Sequence, residues 1–223
     1  MPALQPMLDE ITQNTRKLVQ PERLAISEDA IAELFATGIE QRVLKAGDVA
    51  PPFSLPNATT GKVVRSADLL ALAPLIVTFF RGRWDPYCTT EQEVWRDLLP
   101  RVRAAGALLV AISPQTVRQS DFMAQQHGIA HPLLQDADCL VAANFGVAYP
   151  VSGAMQQYYR SILVNLPFIN SGRNVMAPAD SQVWHLPLPA TFVLSQDGTI
   201  LFAEAHADFR VRAEPEEALA VLP

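Results

Sequence analysis

Short apolar runs and longer amphipathic segments alternate along the middle of the chain. Residues 75–80 and 107–112 are almost entirely apolar, which is typical of strands buried on both faces of a sheet. Residues 86–104 and 117–127 instead carry apolar side chains at helical spacing. Because strands that alternate with helices form sheets covered by helices, this region predicts an α/β domain.

The pattern changes towards the C-terminus. Two apolar runs at 191–194 and 199–203 flank Gln196-Asp-Gly198, and such a turn between apolar runs predicts an antiparallel hairpin. Residues 214–221 predict a final helix. Shorter elements complete the pattern: strands at 53–55, 62–64 and 132–134, and helices at 66–72 and 138–145. We therefore predict a three-layer α/β/α sandwich with a mixed sheet.

Residues 1–46 lie outside this alternation. Their apolar positions recur at helical spacing, which predicts an N-terminal helical extension whose second helix starts at Ser27. The Gly- and Pro-containing segment 47–52 then indicates a linker. The expected organisation is thus an extension over 1–46 and a main domain over 47–223.

Residues 147–187 also interrupt the alternation. They contain one possible amphipathic helix, between Met155 and Leu163, followed by a polar loop at 170–174. An insertion of this length is usually functional or part of an interface. Its apolar face, together with the N-terminal helices, favours a homodimer.

Composition narrows the possible functions. Charged residues make up 18% of the 223 residues and the formal net charge is −6, without a basic run that could neutralise nucleic-acid phosphates. We find no apolar stretch long enough to cross a bilayer and no cationic start followed by an apolar block, so we expect a cytoplasmic protein with no membrane partner. In that reducing compartment the two cysteines are not expected to form a structural disulfide.

The chemistry of the chain is expected at Cys88. Asp85 and Pro86 suit the N-cap and first position of the helix that follows the strand at 75–80, so Cys88 becomes the third helical residue. The helix dipole there stabilises a thiolate, which is the reactive form of cysteine, and Arg81 adds positive charge. The alternative is that Cys88 is a small buried packing residue.

The sequence context favours a reactive thiol. Trp84-Asp-Pro-Tyr-Cys88 resembles the Trp-Cys-Pro-Tyr-Cys motif of thioredoxins and glutaredoxins, with Asp85 in place of the first cysteine. Cys88-Thr-Thr-Glu91 resembles the segment that begins at the attacking cysteine of peroxiredoxins. Further segments resemble that family in the same order, namely 47–55, 107–113, 133–136, 144–146 and 189–194 with Asp197-Gly198. The chain is thus identified as similar to the peroxiredoxins of the alkyl hydroperoxide reductase/thiol-specific antioxidant (AhpC/TSA) family.

This resemblance implies a thioredoxin-like fold and a thiol peroxidase without a cofactor. Cys88 would attack hydrogen peroxide or an organic hydroperoxide and become a sulfenic acid, which a thioredoxin-like protein or a small thiol would reduce. Glu91 matches the acidic residue of the family motif. Arg81 and Asp85 occupy positions where peroxiredoxins have a proline and a threonine. Asp85 is either a helix cap alone or a proton shuttle to the leaving oxygen, and its carboxylate is expected to raise the thiol pKa of Cys88 against the helix dipole.

The resemblance has a second departure. Peroxiredoxins have an arginine before the closing hairpin that steadies thiolate and peroxide, whereas this chain has Leu186-Pro-Leu-Pro189. Arg118 and Arg160 are possible substitutes. Pro189 resembles the cis-proline that faces the thiol in thioredoxins, although an ordinary trans proline at the start of a strand is the alternative.

Other side chains have two interpretations each. Cys139 is a possible resolving cysteine, or a small residue that packs at a helix start. Arg83, Trp84 and Tyr87, like Pro189, are expected to line the substrate pocket, unless they only pack locally. The four histidines show no ligand spacing, so no metal site is predicted.

Two other functions remain open. In the first, a single thiol performs glutaredoxin-like exchange on glutathione mixed disulfides, although Cys88 stands at the wrong end of the motif for this. In the second, the chain is a thioredoxin-fold binding or scaffold protein in which Asp85 marks lost redox activity. A Cys88 pKa below that of free cysteine would favour the enzymes, and a raised pKa the scaffold.

Overall fold

The computed structural model describes residues 3–172 and 182–222. Nine strands lie within these residues: β1 Ser54–Pro56, β2 Val63–Arg65, β3 Leu75–Phe79, β4 Leu108–Ser113, β5 Leu133–Gln135, β6 Ala148–Pro150, β7 His185–Pro187, β8 Ala190–Leu194 and β9 Ile200–Ala205. The same residues contain ten α-helices: α1 Leu4–Leu18, α2 Pro21–Ala36, α3 Ile39–Arg42, α4 Ser66–Leu70, α5 Pro86–Ala104, α6 Val117–His127, α7 Leu140–Asn144, α8 Gly153–Ser161, α9 Leu166–Ser171 and α10 Pro215–Ala220.

Five strands form the central sheet, in the order β5-β4-β3-β8-β9. β3, β4 and β5 run parallel, whereas β8 is antiparallel to β3 and β9 to β8. Leu75 at the start of β3 pairs with Leu108 on one side and Leu194 on the other. The sheet is therefore mixed, as predicted, with a parallel half followed by an antiparallel hairpin.

The side chains of β3 alternate between two hydrophobic layers, because successive residues of a strand point to opposite faces. Val77 and Phe79 enter the layer that is covered by α3 and α7, where Phe79 packs against Phe145 and Phe192 with ring centroids 5.2 and 5.9 Å apart. Ile76 faces the other layer, which is formed by α1, α5 and α10. Helices therefore cover both faces of the sheet, which gives the predicted three layers.

The helix that carries Cys88 is anchored on this second face. Trp95 and Leu98 of α5 are buried against Ile76, and α1 packs beside them through Leu4 and Leu8. Burying a large apolar side chain contributes about 1.5–3 kcal/mol. The N-terminal helix thus shares a hydrophobic core with the helix that bears the candidate nucleophile.

The positions of α5 and α6 agree with their predicted limits, while two other helix starts were predicted wrongly. The second N-terminal helix begins at Pro21 rather than Ser27, because proline suits a first helical turn. The predicted helix 138–145 begins only at Leu140. Asp136, not Asp138, accepts hydrogen bonds from its first backbone N–H groups.

The stretch 147–187 contains more structure than its sequence predicted. β6 and β7 pair as a short antiparallel ribbon, and α8 and α9 lie between them in the chain. The predicted helix corresponds to α8, but Asn170 and Ser171 of the predicted polar loop belong to α9. Residues 173 and 174 of that loop lie outside the described residues. In the described ranges, none of the helices has the length and apolarity that crossing a membrane requires.

Candidate active site

The loop after β3 places Cys88 at the start of α5. Asp85 caps the helix as predicted, since its Oδ1 accepts a hydrogen bond from Tyr87 N at 3.1 Å. The loop turns through Gly82, whose φ of 145° is in a region that favours glycine, and a Cβ there would come within 2.7 Å of the Trp84 side chain. Cys88 is the third helical residue, as the sequence indicated.

The sulfur of Cys88 is fully buried and has three polar neighbours. Its S–H donates to Asp85 Oδ2 at 2.8 Å. Sγ accepts from the backbone N–H of Arg81 at 3.3 Å and from Nη2 of Arg212 at 3.5 Å. One carboxylate acceptor and two cationic residues thus surround the thiol.

Four charged side chains form a buried network around this sulfur. Arg81 holds Asp85 through Nε and Nη2, at 2.8 and 2.7 Å from Oδ2. Arg212 holds Glu91 through Nε at 3.1 Å and lies 3.9 Å from Asp85. All four are no more than 5% exposed. Such burial is rare for charged groups unless they are paired, as they are here.

The resting thiol is strongly protonated. Burial and, after it, the Asp85 carboxylate raise the pKa of Cys88 to about 12, although Arg212 and Arg81 act in the opposite direction. The sequence predicted that the helix dipole favours the thiolate and that the Asp85 carboxylate opposes it, and in the resting protein burial and Asp85 prevail. The two arginines are already neutralised by two carboxylates, so they do not offset the loss of water around the sulfur.

Glu91 has a perturbed pKa for a related reason. Burial raises the pKa of its carboxyl to about 7, although Arg212 lowers it by charge and hydrogen bonding. Glu91 holds the Nε edge of Arg212, which leaves the Nη2 edge of that guanidinium towards Cys88. This contact allows Glu91 to orient the Arg212 guanidinium towards Cys88.

Aromatic rings enclose the Arg81 guanidinium. It stacks on Phe209 at 3.8 Å from the ring centroid, lies 5.1 Å from Trp84 and donates to the Tyr159 hydroxyl at 3.4 Å. Such rings stabilise a cation that has been removed from water. Arg81 is consequently held against Asp85 by contacts on several sides.

The remaining predicted pocket residues lie in different places. Trp84 and Tyr87 line a cavity beside Asp85, and the Tyr87 hydroxyl lies 3.0 Å from Thr12 Oγ1. Arg83 points away towards α6, where Nε donates to Gln119 at 2.6 Å. Pro189 is buried before β8. No cis peptide bond occurs among the described residues, so its resemblance to a cis-proline was wrong and the trans alternative holds.

Sequence reasoning missed Arg212. Neither suggested substitute takes its place: Arg160 stacks on Trp184 at 4.9 Å, and Arg118 lines a surface cleft with Arg83. Arg212 follows β9, which pairs with β8, and the backbone then returns towards α5. The sequence feature that could have indicated this role is the position of Arg212 shortly after the closing hairpin, whereas peroxiredoxins have the corresponding arginine before it.

Cys139 lies on the opposite face of the sheet from Cys88. Cys88 packs with Phe80 and Leu133, whereas Cys139 belongs to the layer that contains Phe79 and Leu134. Leu133 and Leu134 are consecutive residues of β5, so they point to opposite faces of the sheet. Burial raises the pKa of Cys139, and its sulfur donates to the backbone carbonyl of His185 at 3.5 Å.

Comparison with known proteins identifies one family. Residues 46–203 match the AhpC/TSA family. A Mycobacterium tuberculosis protein assigned to the peroxiredoxins is 32% identical over 139 residues, which are 62% of this chain and 87% of that protein. Peroxiredoxin Bcp of Escherichia coli is 33% identical over 104 residues, covering 47% of this chain and 65% of Bcp.

Solved structures support the fold. The crystal structure of peroxidoxin BcpB from Mycobacterium tuberculosis has a TM-score of 0.58 and 27% identity, and covers 80% of this chain and 96% of that one. Peroxiredoxin Q of Xanthomonas campestris, at 23% identity and a TM-score of 0.53, shares the fold over 81% of this chain and 92% of its own. The match of the family to most of the chain, together with a thiol at the start of α5, shows that the chain belongs to the AhpC/TSA family, as a peroxiredoxin of thioredoxin-like fold.

Proposed function

We propose that this protein reduces peroxides with the thiol of Cys88, and that Asp85 is the base which activates that thiol. The observation that carries the proposal is the 2.8 Å hydrogen bond from Cys88 Sγ to Asp85 Oδ2 inside a buried, charge-balanced network. Five pH units below a pKa of about 12, a free equilibrium leaves about one thiol in 10⁵ ionised. A base in direct contact removes that obstacle, because the proton moves as the sulfur attacks.

The reaction balances with Asp85 as proton carrier. The S–H proton passes to Asp85 while the sulfur attacks one peroxide oxygen, so the S–O bond forms and the O–O bond breaks. The sulfur loses two electrons and the peroxide gains them. The departing hydroxide or alkoxide takes the proton from Asp85, which leaves a sulfenic acid, water or an alcohol, and a carboxylate ready for the next cycle.

Two arginines assist this step in our proposal. Arg212 reaches the sulfur from one side, and Arg81 holds Asp85 and donates its backbone N–H to the same sulfur. Donors that are fixed in advance stabilise negative charge on sulfur and on the leaving oxygen without reorganisation. Glu91 acts through Arg212, as a positioning residue.

The proposed cycle uses one cysteine of this chain. Cys139 lies in the opposite layer of the sheet, so the sulfenic acid at Cys88 has to meet a thiol from another molecule. A thioredoxin-like protein or a small thiol suits this role. We also propose that the protein acts in the cytoplasm and forms a homodimer. The homodimer is proposed because large apolar side chains such as Leu18 and Leu163 are exposed.

Sulfenic-acid trapping tests the proposed function. When reduced protein receives one equivalent of peroxide in the presence of dimedone, we expect peptide mass mapping to find the adduct on Cys88. Cys139→Ala should give the same adduct, and Cys88→Ala should give none. Absence of label on Cys88 would contradict the peroxidase and leave the scaffold function, which the raised thiol pKa favours.

A second experiment tests the one-cysteine cycle. After peroxide treatment without added thiol, non-reducing peptide mapping should find no Cys88–Cys139 disulfide, because the sheet separates the two sulfurs. Peroxide consumption with dithiothreitol should be similar in wild type and Cys139→Ala. An internal disulfide, or turnover that depends on Cys139, would show that the fold opens to let the two thiols meet.

A further inference from the structure

We infer that α2 and α8 enclose a binding site for the apolar group of an organic hydroperoxide, so that the protein selects hydroperoxides with a compact aromatic or branched group over hydrogen peroxide. The inference rests on the proposed function of Cys88 and deepens it. It concerns a part of the chain that precedes the family match, which begins at residue 46. α2, over Pro21–Ala36, therefore lies outside the segment that matches the family.

Two cavities meet at Arg81. One has a volume of about 180 Å³ and the other about 170 Å³. Five residues line both of them: Ser27, Arg81, Met155, Tyr159 and Phe209. An apolar cavity of about 150 Å³ is large enough to bind benzene. Each cavity therefore has room for a ring or a branched alkyl group.

The floor of the smaller cavity is the catalytic network. Asp85 and Arg81 both line it, and Asp85 Oδ2 lies 2.8 Å from Cys88 Sγ. A group bound there is separated from the sulfur by one side chain. Cys88 itself lines neither cavity, so the peroxide end of a bound molecule has to pass the Asp85 side chain to reach the sulfur, while its carbon end stays in the cavity.

The walls of the cavities are mainly apolar and aromatic. Trp84 and Tyr159 form one wall, with ring centroids 4.9 Å apart, and Met155, Ile162 and Leu24 complete the cavity beside Asp85. Four charged groups at this cavity form two ion pairs, Arg81 with Asp85 and Glu28 with Arg210, while Arg16 makes no ion pair with a described residue. An uncharged organic group fits the aromatic wall and the paired charges of this cavity.

The roof over the cavities is loosely packed. None of the 16 residues of α2 is fully buried, although Leu24, Ile31 and Leu34 face the cavities. Apolar side chains that meet a cavity instead of a packed layer gain contacts when a ligand fills the space. This arrangement favours an apolar occupant beneath α2.

The test compares two substrates in three proteins. Initial rates with cumene hydroperoxide and with hydrogen peroxide, using dithiothreitol as reductant, give the ratio of the two kcat/KM values. Ser27→Phe places a ring where the cavities meet, and we expect it to lower the cumene-to-hydrogen-peroxide ratio about tenfold or more. Ala25→Phe adds the same ring to an exposed position of α2 outside both cavities, and the ratio should remain that of wild type.

A binding measurement supplies a second readout that needs no turnover. The unreactive alcohol 2-phenyl-2-propanol should change the fluorescence of wild-type protein, since Trp84 lines the cavity, and should compete with cumene hydroperoxide. Thr15→Phe, which enters the same cavity from α1, should lose both effects, as Ser27→Phe does. An equal substrate ratio in wild type and Ser27→Phe, or undiminished alcohol binding in both cavity variants, would overturn the inferred site. If none of the proteins consumes either peroxide, the proposed function itself fails.

Discussion

Replacing Asp85 by asparagine is expected to lower kcat/KM for peroxide about 100-fold or more at neutral pH, the usual contribution of a positioned general base. Asparagine keeps an oxygen that can accept from Tyr87 N and cap the helix. It cannot take the proton of Cys88. Stopped-flow measurement of sulfenic acid formation in wild type and Asp85→Asn gives the comparison.

The pH profile separates this role from a simple charge effect. Asp85 raises the pKa of Cys88, so its loss makes the thiol more acidic. If charge alone mattered, Asp85→Asn would therefore react faster. With the base removed, we expect slower reaction at neutral pH and a rate that rises about tenfold per pH unit up to the lowered thiol pKa.

Glu91→Gln is the matched control for Asp85→Asn. Above its pKa of about 7 Glu91 is ionised, so in that pH range the variant also removes one negative charge from the buried network, and Glu91 likewise raises the pKa of Cys88. Glutamine can still accept the hydrogen bond from Arg212 Nε, and the hydrogen bonds of the Cys88 sulfur in the described part of the chain go to Arg81, Asp85 and Arg212 rather than to Glu91. We expect this variant to retain far more activity than Asp85→Asn. Equal losses in the two variants would contradict a proton-transfer role for Asp85.

Replacing Arg212 by glutamine is expected to lower kcat/KM about 100-fold, the loss that typically follows removal of one preorganised donor from an anionic transition state. Arg212 lowers the pKa of Cys88, so the variant should raise it further. Arg212→Lys should have a kcat/KM between those of wild type and Arg212→Gln, because a lysine keeps the charge but cannot hold Glu91 and face the sulfur at once. Rates and thiol titration by alkylation give both quantities.

Stability has to be separated from catalysis in this variant. Removing Arg212 alone leaves Glu91 buried without its partner, which costs about 3–5 kcal/mol when a buried ion pair is broken. The double variant Arg212→Gln/Glu91→Gln removes the unpaired charge and should recover thermal stability. If the double variant also recovered wild-type activity, Arg212 would be structural and have no part in the reaction.

The part of the site that sequence reasoning found is the part that is continuous in the chain. Arg81, Asp85, Cys88 and Glu91 lie within eleven residues, where the positions of a helix start fix their mutual geometry. Helix α5 itself could be predicted because a strong apolar strand, an N-cap and a proline precede it. Local rules sufficed for each of these steps.

The rest depended on contacts between distant segments. Arg212 is 124 residues from Cys88 and reaches it only because β9 returns beside β8. The raised pKa of the Cys88 thiol depends first on burial under several elements, which no local pattern gives, whereas the contribution of Asp85 could be predicted from its position three residues before Cys88. Likewise, Cys139 is separated from Cys88 because it packs with Val77 and Phe79 on one face of the sheet, and this could be seen only once the sheet was known.

The sheet between the two sulfurs also determines how the protein would be inactivated. A sulfenic acid without an internal partner persists until an external thiol arrives, and a second peroxide can reach it first and oxidise it to the sulfinic acid, which is generally irreversible. The number of turnovers before inactivation would then depend on the ratio of thiol to peroxide around the protein. The fraction of inactive protein would therefore increase with the number of cycles in which peroxide reacted with the sulfenic acid before the reductant did.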